Sequence, residues 1–104
     1  MSWDLDEREA RELVEEYLAA IPSPEHNEWV IHDVEEFDWG WVIIWVLRSF
    51  HEGGRSTSDL VAGNGPFLVD RATGRVARAG TAHATEHYVE LWRQGDWPDQ
   101  PRPE

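Results

Sequence analysis

Ala10, Leu13, Val14, Tyr17, Leu18 and Ile21 recur at intervals of three and four, the stripe of an amphipathic helix with one face in a core. Asp4-x-x-Glu7 reads as the helix start, a capping carboxylate followed by an acid where the helix dipole favours one. Pro22-Ser23-Pro24 ends it, because each proline lacks a donor and restricts the residue before it. Residues 28–37 alternate imperfectly, with Trp29, Ile31 and Phe37 on one parity and Val30, His32 and Val34 on the other. That pattern predicts a strand, bulged near Glu35-Glu36 where two acids interrupt it. Trp39 to Leu47 then packs eight apolar side chains into nine residues, three of them Trp. β-Branched and aromatic residues in this mixture suit a pleated surface rather than a helix. Trp41, Ile43, Trp45 and Leu47 point one way and Val42, Ile44 and Val46 the other. With both faces apolar, the strand requires cover on two sides, or on one side by a partner.

Asp38-Trp39-Gly40 turns the first strand into the second, with Gly40 supplying a positive φ or a close backbone approach. His51 to Gly65 shows no periodicity, and a loop this long in a small domain is most often functional or disordered. Within it, Leu60-Val61-Ala62 is the segment expected to pin the second half to the body. Pro66–Asp70 and Arg75–Ala79 flank Arg71-Ala72-Thr73-Gly74, a hairpin in which Asp70 bonds turn amides and Gly74 takes the left-handed position. Thr85-Glu86 opens a last helix with Tyr88, Leu91 and Trp92 inward and Val89 beside them, and Gly95 fits the position just past its end. The expected fold class is α+β: an N-terminal helix, an antiparallel sheet of about four strands with two hairpins, and a C-terminal helix. The two helices are expected to share one face of the sheet. Residues 1–95 form a single domain in this reading, and 96–104 a flexible, Pro-rich acidic tail.

Charge adds a direction to this picture. Residues 1–38 carry thirteen Asp or Glu against Arg8 and Arg11, whereas residues 39–104 carry eight acids against seven Arg. Such a surface repels nucleic acid and anionic lipid and attracts basic proteins, although a solvated acidic face is the simpler use of the same charge. The acidic back of the first helix is therefore one candidate partner surface. Lysine and cysteine are both absent, which removes Schiff-base, P-loop and thiol chemistry. The apolar run at 39–47 is about half the roughly 20 residues a bilayer span needs. The first residues lack the basic and apolar regions of a signal peptide, so a cytoplasmic protein is expected.

Catalytic constellations fail one by one. His83-Ala84-Thr85-Glu86-His87 spells H-x-x-E-H, the zinc motif of inverzincin peptidases, but it straddles the expected helix start and has no third ligand downstream. Surface histidines are the better reading, because short motifs match often by chance. Ser49, Ser56, Thr57 and Ser58 lie outside any nucleophile elbow, and Gly63-Asn64-Gly65 is too short for a dinucleotide fingerprint. Glu35, Glu36 and Asp38 could pair for acid–base work, yet three acids at a turn are more often a solvated edge. The Trp-rich strand is embedded in acids, so it does not offer the positive groove that a stacking platform for single strands needs. No enzyme, no metal and no cofactor is expected.

The order of motifs carries a resemblance. An amphipathic helix is followed by Glu36-Phe37-Asp38-Trp39-Gly40-Trp41-Val42-Ile43-Ile44-Trp45, then by Gly63-Asn64-Gly65-Pro66-Phe67-Leu68-Val69-Asp70-Arg71-x-Thr73-Gly74, then by Gly80-Thr81 and Glu86-His87-Tyr88-Val89. From about Leu13 to Trp92 the chain resembles the polymorphic-toxin immunity protein 35 family, also described as the YrhB-type domain. The resemblance implies a small α+β protein, made beside a toxin, that binds and neutralises it without catalysis. A chaperone-like holdase or regulatory binding module is the alternative it implies. The chain departs from the family in its lack of lysine and in its Pro-rich acidic tail. The expected partner is a cognate, basic toxin. The contacts expected are Glu35, Glu36, Asp38 and Trp39, with Arg55 and Asp59 in the 51–65 loop. A two-sided apolar strand in so small a protein also fits a homodimer through a sheet face.

Overall fold

The computed structural model describes residues 4–48 and 65–101. Helix α1 spans Glu7–Ala20, β1 Trp29–Phe37, β2 Gly40–Leu47, β3 Phe67–Asp70, β4 Val76–Arg78 and α2 Thr85–Arg93. The strands form one antiparallel sheet in the order β1-β2-β3-β4, so the α+β class, the four strands and both hairpins stand as read. Leu60-Val61-Ala62 lies outside the described residues.

Local chemistry accounts for most element boundaries. The cap of α1 is Asp6 rather than Asp4. Its carboxylate accepts from the Glu9 amide at 2.8 Å, while the Glu9 carboxylate accepts from the Asp6 amide at 3.2 Å. This reciprocal box satisfies two of the donors that a helix start leaves unpaired. The bulge of β1 is also displaced from its expected place. The register shifts between Ile31 and Asp33, leaving His32 as the extra residue, and Glu35 and Glu36 pair regularly with Val42 and Trp41. The slip keeps Trp29, Ile31 and Val34 packed against the same core, which unbroken alternation would not allow. Past α2, the Gly95 amide donates to the Trp92 carbonyl and the Asp96 amide to that of Leu91. With Gly95 at φ 85°, these bonds make the left-handed helix ending that glycine permits.

The two helices lie on opposite faces of the sheet, not on one. Ala10, Val14, Tyr17 and Leu18 of α1 pack with Trp41, Ile43, Trp45, Phe67, Val69 and Val76. Tyr88 and Trp92 of α2 pack with Val42, Leu68, Ala77 and Ala79. The alternation of β2 requires this arrangement, because its odd and even residues are both apolar and each face needs its own cover. Trp41, Ile43, Trp45 and Phe67 are essentially inaccessible, and burying each contributes about 1.5–3 kcal/mol. Coverage of the second face is incomplete, however, and Ile44 remains 37% exposed.

The resembling motifs have physical reasons. A Cβ on Gly40 would lie 1.9 Å from the Val69 carbonyl oxygen, and one on Gly65 1.6 Å from that of Ala79, so both glycines are close-approach positions. The Asp70 carboxylate accepts from the Ala72 and Thr73 amides, and Gly74 at φ 74° closes the turn. Residues 96–101, expected as a flexible tail, contact the sheet and α2. The Trp97 indole donates to the Arg78 carbonyl at 2.9 Å, and the Gln100 amide donates to the Val76 carbonyl at 2.8 Å.

Candidate functional site

Because α2 packs over β3, β4 and Val42, the part of that sheet face around Phe37 and Ile44 is left exposed among the described residues. A cleft of about 570 Å³ runs between the β1–β2 hairpin and α2. Its floor includes Phe37, Trp39, Val42 and Ile44, with Val89 on the helix wall. Phe37 and Ile44 are the large hydrophobics left exposed among the described residues, at 38% and 37%. Both face this one cleft. Clustered rather than scattered apolar exposure is what marks an interaction surface.

The floor is built stiffly. Phe37 stacks on Trp39 with ring centroids 5.5 Å apart and planes 10° from parallel. Trp39 meets the edge of Trp92 at 5.9 Å, a favoured aromatic geometry. Trp92 is held from behind, its indole donating to the Asp99 carboxylate at 2.8 Å. The same carboxylate accepts three bonds from Arg75, at 2.8, 3.0 and 3.2 Å, and the guanidinium lies 5.5 Å from the Trp92 ring. The bonds from Arg75, then that from Trp92, hold the Asp99 carboxyl below its ordinary range. The same pair raises the Arg75 guanidinium above its own. The tail thus braces the wall of the cleft through two successive indoles.

The expected contact residues separate by face. Glu35 and Trp39 line the cleft. Glu36 pairs across the sheet with Trp41 and therefore points to the α1 side. There it accepts from Arg71 at 2.8 Å, while Arg71 also donates to the Phe37 carbonyl and lies 4.4 Å over the Trp41 ring. Asp38 sits exposed in the hairpin turn. Arg55 and Asp59 lie outside the described residues. The helix wall, with Val89, Glu86, Glu90 and Arg93, went unread in the sequence. Its one signal was Val89, an apolar residue beside the buried stripe rather than within it.

Chemistry elsewhere is sparse. His83 and His87 stand with ring centroids 4.4 Å apart, His83 before the first residue of α2. No three His, Cys, Asp or Glu side chains among the described residues are grouped to hold a metal ion. No helix among the described residues is long and apolar enough to cross a membrane.

Comparison with known proteins places this geometry in context. The family model described as Immunity protein 35 matches residues 8–95. The uncharacterized protein YrhB of Escherichia coli (strain K12) is 37% identical over 54 residues, covering 52% of this chain and 56% of that protein. The chain therefore aligns with little more than half of that curated relative. No solved structure matches the chain.

Proposed function

The chain belongs to the immunity protein 35 family, and from that membership we propose that it is a cytoplasmic immunity protein that binds a cognate toxin and neutralises it by occlusion, without catalysis. The observation that carries the reading to a surface is the cleft that holds both large hydrophobics exposed among the described residues, Phe37 and Ile44. An inhibitor that works by covering its target needs such a patch with a polar rim and needs no reacting group. Glu35 and Trp39 act from within the cleft and Asp38 from the exposed hairpin turn. Glu36, already neutralised by Arg71, serves mainly to fix the hairpin. Arg55 and Asp59, which lie outside the described residues, stay in the proposed contact set. The acidic character of the chain favours a basic toxin, because complementary fields raise association rates and select partners.

Co-expression with the product of the adjacent gene tests this function. That product alone should arrest growth, the wild-type chain should restore it, and a Trp39→Ala Ile44→Asp variant should not, while remaining folded. A neighbour that is harmless alone, or toxicity that persists beside the wild-type chain, would sink the immunity reading. Suppression of aggregation of unrelated clients, insensitive to salt, would instead support the holdase alternative.

A further inference from the structure

We infer that the cleft accepts a partner segment that inserts one aromatic or branched aliphatic side chain between the hairpin and α2, flanked by Lys or Arg. This inference rests on reading the cleft as the partner surface and adds the chemistry of what fills it. Size sets the first limit. A cleft of about 570 Å³ takes one or two side chains, whereas a whole helix is about 10–12 Å across. The floor sets the second. Phe37 and Trp39 are stacked and Trp39 is braced by Trp92, so a preformed apolar slot is offered at little ordering cost.

Charge sets the third limit. Four acids outside the cleft have an arginine partner: Glu7 with Arg11, Glu28 with Arg48, Glu36 with Arg71 and Asp99 with Arg75. Those lining the cleft do not, and they flank its apolar floor. Glu35 stands on the strand wall and Glu86 and Glu90 on the helix wall. Glu35 and Glu86 have no ion-pair or hydrogen-bond partner among the described residues, and the Glu90 carboxylate accepts only from the Gln94 side-chain amide, at 3.2 Å. Among the described residues, Arg93 is the one cation lining the cleft. A cation on either side of an inserted apolar group meets unmatched carboxylates on both walls, and an acidic segment is repelled. The same field disfavours a second copy of this chain, which brings a formal charge of −12 of its own.

Selection from a random-peptide display library on the immobilised full chain tests the inference. The strongest peptide is then synthesised and its affinity measured in solution at rising salt. The enriched sequences should carry an aromatic or branched aliphatic residue within two positions of Lys or Arg. Replacing Glu35, Glu86 and Glu90 together by Gln should weaken binding about tenfold and flatten its salt dependence. Ile44→Asp should abolish it. All four positions are exposed, and melting temperatures close to wild type would confirm that the variants fold. No enrichment, an acidic or uncharged consensus, or affinity unchanged in both variants would overturn the inference. A concentration-dependent dimer that Ile44→Asp dissolves would overturn it too, by giving the cleft to a second copy. The experiment uses no toxin, so a harmless neighbouring gene product would end the immunity reading and leave this result standing.

Discussion

At the scale of single residues, the two glycines that meet backbone carbonyls are the most exacting positions. Gly40 takes φ 156° with the Val69 carbonyl where its side chain would be, so neither the conformation nor the space admits another residue. Gly40→Ala should destabilise the fold by about 2–4 kcal/mol, read as a shift of the denaturant midpoint. An unchanged midpoint would mean that the β2–β3 contact is looser than it stands. These glycines were visible in the sequence, where Gly40 was assigned either a positive φ or a close approach, and it has both. Glu35, Glu36, Asp38 and Trp39 were grouped there as one acidic-aromatic cluster. Adjacent strand residues point to opposite faces, so that cluster cannot act as a unit. Only the register, set by a bulge at His32, decides which members share a face. A bulge leaves little mark on composition, which is why it was placed three residues too late.

Among the elements, the two apolar faces of β2 already called for cover on both sides, yet the helices were expected together. The residues of β2 were the better guide. What they could not convey is how far α2 reaches across its face, since that depends on Tyr88 and Trp92 seating on Leu68, Ala77 and Ala79. The cleft exists because a helix of nine residues covers only part of a four-stranded sheet. Its helix wall lies more than forty residues along the chain from Ile44, beyond any local pattern. The tail strap is an element whose strength depends on pH. Asp99 is held below its ordinary carboxyl range by Arg75 first and Trp92 second. The folded state therefore binds fewer protons at that site than the unfolded chain. The stabilisation is full above the ordinary Asp value, near 3.9, and is lost as pH falls through the lower folded value. Asp99→Asn should lower the melting temperature by roughly 2–5 °C at neutral pH, a modest figure because the pair is exposed. The difference from wild type should shrink in acid below that range. A difference that stays constant with pH would show that the carboxylate charge contributes nothing.

For the whole molecule, the family motifs were readable because they are mostly structural: a tight hairpin, two close-approach glycines and a capped turn. Those features report the fold and therefore the family. The proposed partner surface draws Phe37, Trp39, Val42, Ile44, Glu86 and Val89 from those motifs and adds Glu35, Glu90 and Arg93 from outside them, and it could be read only once the sheet was closed. Two acidic surfaces compete for the partner at this scale. One is the cleft, with Glu35, Glu86 and Glu90 around an apolar floor. The other is the back of α1, where Glu9, Glu12 and Glu16 are exposed with little apolar area to bury. Desolvated apolar contact carries most binding energy, and charge mainly steers, so the cleft should hold the toxin. Carboxylate footprinting of the complex by mass spectrometry distinguishes them directly. Glu35, Glu86 and Glu90 should lose reactivity on binding while Glu9, Glu12 and Glu16 keep theirs; protection of the α1 carboxylates with the cleft still reactive would contradict the account.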